Sequence, residues 1–184
     1  RLGEGEWIVV EADESDGTFT KLPATIAVVT NIDPEHLDHY GSFDALKKAF
    51  ATFVQNIPFY GFATLCIDDA NVQALIPDVS DRRIVTYGMS PQADIRAVDI
   101  ESGATGSQFT VIVSDRTSGS STELGRFRMP MAGNHNIRNA LAAIAISQEM
   151  GIDADTLGRA LGGFRGVKRR FTRTGIVNGV TVID

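Results

Sequence analysis

The sequence predicts an α/β fold, a mostly parallel sheet flanked by helices with a small antiparallel sheet at one edge. Three observations carry that expectation. Short β-branched runs such as Ile26-Ala27-Val28-Val29 read as strands buried on both faces, the habit of parallel sheets. These runs alternate with amphipathic helical stretches, as βαβ units do. Beyond Gly88 the alternation stops, and three strand patterns follow one another across Ser/Gly/Thr-rich turns.

The first element is a buried strand over 7–10, opened by Trp7. A second follows at 26–29, after a connection near the minimum length for a parallel crossover. The spacing then predicts a helix over 42–56. Ser42 is placed to cap it with Asp44 in the first turn, and Phe43, Leu46, Phe50, Phe53 and Val54 recur at three- and four-residue intervals as a core-facing stripe. Lys47 and Lys48 fall on its solvent side. A strand at 62–67, a short helix at 71–76 and a strand at 83–87 continue the pattern. Asp68 and Asp69 stand at the strand end, where one of them suits a helix cap. Strands at 93–101, 108–114 and 123–129 form the antiparallel edge. An alanine-rich helix at 140–150 and a helix at 153–164, capped by Asp153 and broken at Gly162-Gly163, precede a final strand-like run to Asp184.

Composition narrows the function classes. Acidic residues outnumber basic ones by 23 to 17, a net charge of −6, which argues against general binding to nucleic acid or anionic membrane. The single cysteine, Cys66, lies in the apolar run Ala63-Thr64-Leu65-Cys66-Ile67 and reads as a buried, inert thiol. No apolar stretch approaches the roughly 20 residues needed to span a bilayer, and no signal peptide is visible; the expectation is a cytoplasmic protein. The chain opens without methionine and closes within a strand pattern, so both ends read as cut from something longer.

The chemistry concentrates at four places. Glu11-Ala12-Asp13-Glu14-Ser15-Asp16 puts four carboxylates in six residues at a strand end, either a solvated acidic loop or a site whose repulsion a cation relieves. Asp33-Pro34-Glu35-His36-Leu37-Asp38-His39 follows the second strand; Pro34 disfavours helix at Asp33 and forces a turn. In parallel α/β sheets ligands bind beyond the carboxyl ends of the strands, so the imidazoles and carboxylates here are candidates for metal or phosphate. Gly133-Asn134-His135-Asn136-Ile137-Arg138-Asn139 opens a helix with Asn136 and Asn139 three apart on one face, and a side-chain amide both donates and accepts, as recognition of an adenine edge requires. Lys168-Arg169-Arg170, beside Gly166 and Phe171, suits phosphate oxygens or a solvated basic turn.

These four stretches, EADESD at 11–16, TNIDPEHLDHY at 30–40, GNHNIRN at 133–139 and GVKRRF at 166–171, stand in the order found in the Mur ligase family. The chain resembles the central ATP-binding domain of that family over essentially its whole length, nearest to the members that join L-alanine to UDP-N-acetylmuramate. The resemblance implies ATP and Mg2+ as cofactors, UDP-N-acetylmuramate and L-alanine as substrates, and an amide formed through an acyl phosphate in peptidoglycan precursor synthesis. It implies that Glu11 ligates the magnesium bridging the ATP phosphates and that His36 ligates a second. Asn139, with Asn136 and His135 beside it, would meet the adenine, and Arg170 the nucleotide phosphates. Asp184 would open a hinge. The implied catalytic set is Glu11, His36 and Arg170, and the implied division is a central domain over 1–178 with the hinge beginning at 179–184.

Two departures from the family pattern stand out. Many members carry a carbamylated lysine on the helix after the histidine motif; that position falls near Phe50, as in the alanine-adding members. The chain also holds no G-x-x-x-x-G-K-[ST] phosphate loop, so by itself it is expected to be inactive, a weak ATP binder, and prone to self-association at an exposed sheet edge. Three rival readings stay open. One is the family member that attaches murein tripeptide, another a metal-dependent hydrolase using the HLDH turn at 36–39, and the third a non-catalytic assembly domain.

Overall fold

The computed structural model describes residues 5–166 and 173–183. Six strands hydrogen-bond in the order β1 to β6: β1 (Ile26–Val29), β2 (Phe62–Cys66), β3 (Ile84–Gly88), β4 (Ile95–Gly103), β5 (Gly106–Ser114) and β6 (Ser121–Met129). A separate hairpin joins β7 (Arg173–Val177) to β8 (Val180–Ile183). Pairing is parallel for β1 with β2 and β3 with β4, and antiparallel from β4 to β6. The predicted mixed architecture is therefore the observed one. The chain divides into two compact units, Arg1–Leu65 with Asp69–Ile84, and Cys66–Asp68 with Val85–Asp184.

In the first unit, α1 (Leu37–Tyr40) and α2 (Phe43–Gln55) lie between β1 and β2, and α3 (Ala70–Leu75) follows β2. The Ser42 hydroxyl accepts the Ala45 N–H at 3.2 Å, so α2 starts where the capping pattern places it. Its apolar stripe faces inward. Phe53 and Val54 join Ala27, Val29, Ile32, Ala63, Leu65, Val72 and Leu75 in one buried cluster. Phe19 enters that cluster from a short 3-10 helix (Thr18–Lys21), with its ring 5.1 Å from Phe50 and 5.3 Å from Phe53. Burying such a ring contributes on the order of 1.5–3 kcal/mol, which anchors the loop preceding it. Lys47 is half-buried, its ammonium paired with Asp44 at 2.7 Å and 5.0 Å from the Phe43 ring centroid. Asp69 caps α3, accepting the N–H groups of Asn71 and Val72.

One predicted strand is not there. Residues 7–10 are irregular and exposed, Val9 almost completely at 98%. A strand exists only where a neighbour accepts its ladder, and β1, the terminal strand of the sheet, pairs with β2 alone among the described residues. β1 is moreover buried on one face only, not both: Ala27 and Val29 are inside while Val28 is exposed.

In the second unit, α4 (Asn134–Glu149) packs on β4, and α5 (Ala154–Gly163) packs on β6 and α4. Tyr87, Phe109, Val111, Ile137, Leu141 and Ile144 are fully buried there. The Asp94 carboxylate accepts from the Thr86 backbone and hydroxyl and from Arg116, locking the turn between β3 and β4. The Asp68 carboxylate accepts the N–H groups of Met89 and Ser90, so Asp68 and Asp69 both serve structure. Cys66 is a buried thiol, as expected. Among the described residues no helix is long and apolar enough to cross a membrane.

Asp153 caps α5 by accepting both the N–H and the hydroxyl of Thr156, at 2.8 Å each. These bonds, the backbone one first, hold its carboxyl below the ordinary 3.8. A lowered folded-state value makes the cap's contribution complete above about pH 4 and lost as pH falls further. Asp153→Asn keeps an acceptor that does not titrate, so urea midpoints measured between pH 6 and pH 3 should fall less steeply for the variant than for the parent.

Candidate functional site

The site in the first unit is assembled just past the carboxyl end of β1. The chain leaves the strand through Thr30, Asn31 and the buried Ile32, whose carbonyl accepts the Asn71 side-chain amide at 2.8 Å. Pro34 follows, and the Glu35 N–H returns to the Asp33 carbonyl at 2.8 Å. His36 then adopts a left-handed conformation with φ 53, a state few non-glycine residues occupy. Its carbonyl accepts from His39 and Tyr40, starting α1.

The acidic loop folds on itself first. The Asp13 carboxylate accepts the Ser15 N–H, and the Asp16 carboxylate accepts both the N–H and the hydroxyl of Thr18. These hydrogen bonds, the Ser15 backbone for Asp13 and the Thr18 hydroxyl for Asp16 foremost, hold both carboxyls below their ordinary range. Gly17 takes φ 72 at the foot of the loop. There a β-carbon would stand 3.1 Å from His39 Nε2, so glycine is needed both for the conformation and for the approach.

The two segments meet through Glu14. Its carboxylate oxygen lies 3.6 Å from His36 Nε2, with both side chains about one-third exposed. Glu35 completes the group: one ligand atom from each of Glu14, Glu35 and His36 falls within 4.8 Å of the others. Two carboxylates and an imidazole so arranged fit a divalent cation, since hard cations take oxygen ligands and a neutral imidazole can add one more. Mg2+ is thus compatible with the donor set on geometry and chemistry alike.

The acidic segment and the histidine turn therefore come together as the sequence suggested, and the acid beside the imidazole is Glu14. Glu11, three residues upstream, is exposed in the irregular stretch before the loop. Asp38 and His39 of the HLDH turn lie outside the cluster; the His39 ring instead lies edge-on to Tyr40, 4.8 Å between centroids. Glu14 and Glu35 were present in the two acid-rich stretches, but nothing in linear spacing distinguishes them from neighbouring acids.

The second unit carries the paired asparagines. Gly133, with φ 97, precedes α4, and its N–H donates to the Ser102 hydroxyl at 3.0 Å. A β-carbon at Gly133 would stand 3.0 Å from the His135 ring. Asn136 and Asn139 share a face, opposite the buried Ile137, Leu141 and Ile144. The Asn136 amide donates to the Ala132 carbonyl at 2.7 Å, a structural duty that the motif alone did not reveal. Asn139 and His135 are exposed, and Asn139 makes no side-chain hydrogen bond among the described residues. Arg170 and Asp184 lie outside the described residues.

Comparison with known proteins identifies the family. The profile described as the Mur ligase middle domain matches residues 3–147. The chain belongs to the Mur ligase family. A UDP-N-acetylmuramate–L-alanine ligase of Rhodospirillum rubrum is 61% identical over 183 residues, covering the whole chain and 38% of that relative. This Mur ligase chain thus spans well under half the length of the curated relative. Among solved structures, the UDP-N-acetylmuramate-alanine ligase MurC of Thermotoga maritima superposes with TM-score 0.74 at 24% identity, covering 94% of the chain and 37% of that structure. A UDP-N-acetylmuramate:L-alanyl-gamma-D-glutamyl-meso-diaminopimelate ligase of Neisseria superposes with TM-score 0.70 at 27% identity, covering 86% and 48%. Near Phe50, where many family members carry a carbamylated lysine by the resemblance above, this Mur ligase places a partly buried aromatic ring against the core beside Phe19.

If the Glu14–Glu35–His36 group holds a divalent cation, His36→Asn and Glu14→Gln should each weaken binding of manganese(II) by about tenfold or more, read by electron paramagnetic resonance on the chain alone. Asp38→Asn, outside the cluster, should bind as the parent does.

Proposed function

We propose that this chain is the nucleotide- and metal-handling part of an ATP-dependent ligase that joins L-alanine to UDP-N-acetylmuramate, a step of peptidoglycan precursor synthesis in the cytoplasm. The observation that carries the reading is the 61% identity, end to end, with a ligase of that name. Seven further curated relatives of the same name are 56–59% identical over the whole chain, which favours the alanine-adding reading over its rival within the family.

The reaction has two steps. The muramate carboxylate attacks the γ-phosphorus of ATP, releasing ADP and forming an acyl phosphate. The amine of L-alanine then attacks the acyl carbon, phosphate leaves, and the ammonium proton passes to solvent. Bound Mg2+ would neutralise charge on the phosphoryl oxygens. In this reading Glu11 and His36 are metal ligands, joined by Glu14 and Glu35, and the protein's contribution is positioning and electrostatics. His135, Asn136 and Asn139 serve the nucleotide: the Asn139 amide is free to meet an adenine edge, while Asn136 shapes the loop before α4. Arg170 completes the catalytic set at the phosphates and Asp184 begins the hinge.

The decisive assay uses the longer ligase that carries this chain, offered L-alanine or the murein tripeptide with UDP-N-acetylmuramate and ATP. ADP release should depend on L-alanine; release with the tripeptide alone would reject the assignment. The 184-residue chain by itself should be inactive, and calorimetric titration should find its affinity for Mg-ATP weaker than micromolar. The sheet edge at β1, which pairs with β2 alone among the described residues, and the exposed Ile8 and Val9 should also drive association between copies; light scattering should show the apparent mass rising with concentration, and a constant monomer mass would refute this.

A further inference from the structure

The hydrogen bond between Tyr40 and the acidic loop has no part in the reading above. The Tyr40 hydroxyl donates to the backbone carbonyl of Glu14 at 2.5 Å, across 26 positions of sequence. The same carbonyl accepts the Gly17 N–H at 3.2 Å. The loop thus rests on the last turn of α1, with the glycine at its foot against His39 and 3.6 Å from the Tyr40 oxygen by its would-be β-carbon. The carbonyl belongs to the residue whose carboxylate faces His36. Fixing that carbonyl therefore fixes where the carboxylate can reach. A phenol keeps its proton at neutral pH, so it remains a donor there.

We propose that Tyr40 is a positioning residue for the cation site: its hydroxyl clamps the Glu14 backbone to α1 and so sets the carboxylate beside His36. The proposal rests on the reading of Glu14, Glu35 and His36 as a divalent-cation site. A clamp of this kind acts on affinity for metal. It touches neither substrate nor nucleotide, so its loss is made good by more metal.

The test uses the longer ligase that carries this chain, as parent, Tyr40→Phe, Gly17→Ala and His36→Asn. Tyr40→Phe removes one oxygen and keeps the ring. A lost hydrogen bond of about 1 kcal/mol corresponds to roughly a fivefold to tenfold change. Manganese(II) binding without nucleotide, read by electron paramagnetic resonance, should weaken by that factor in Tyr40→Phe, and the magnesium concentration giving half-maximal rate should rise equally. At saturating magnesium kcat should recover to near the parent's, with the melting temperature of the protein little changed. Gly17→Ala, which forces the loop off His39, should move metal affinity in the same direction. If His36→Asn weakens manganese binding while Tyr40→Phe binds as the parent does, the clamp is wrong and the cation site stands. If His36→Asn leaves manganese binding unchanged, the cation-site reading itself fails. A loss of rate in Tyr40→Phe that magnesium does not restore, with a lowered melting temperature, would make Tyr40 merely structural and overturn the proposal.

Discussion

The first unit depends on a single constraint: two acid-bearing segments that repel each other must be held together without a charge between them. The Tyr40 hydroxyl meets this with a neutral hydrogen bond to the Glu14 carbonyl, which also accepts the Gly17 amide within the loop. Like charges brought within a few ångströms cost energy unless something offsets them. Here backbone donors satisfy Asp13 and Asp16 internally, which leaves Glu14 and Glu35 as the carboxylates turned toward His36. The acids are thereby sorted into those that build structure and those grouped around His36.

That sorting was not legible in the sequence, and the reason is physical. Periodicity reveals elements whose side chains alternate between core and solvent, and α2 was readable on those grounds down to its Ser42 cap. A loop has no period. EADESD announces density of charge, yet which acid reaches the imidazole depends on a glycine turn and a tyrosine 26 residues away. The four-residue α1 was equally hidden, being too short to show a stripe. The apolar run at 7–10 carried a true strand pattern, but pattern records what a segment can pair with, and in this chain no partner strand is described beside it.

The asparagine motif shows the same limit from the other side. His-Asn-x-x-Asn looks like a unit, and both amides do share a face of α4. Their environments then divide them. Asn136 donates to the carbonyl of Ala132, which stiffens the entry to the helix, while Asn139 is exposed. A short motif can therefore combine a residue that builds the turn with one that does not, and only coordinates tell which is which.

The left-handed backbone at His36 makes position 36 selective twice over. On the proposed metal role a replacement must supply a ligand, and in any case it must tolerate a conformation that costs most side chains on the order of 1–3 kcal/mol. Asparagine and aspartate bear that conformation better than glutamine, glutamate or any β-branched residue. Drift at this codon is therefore channelled toward a very small set of residues, even before chemistry is selected.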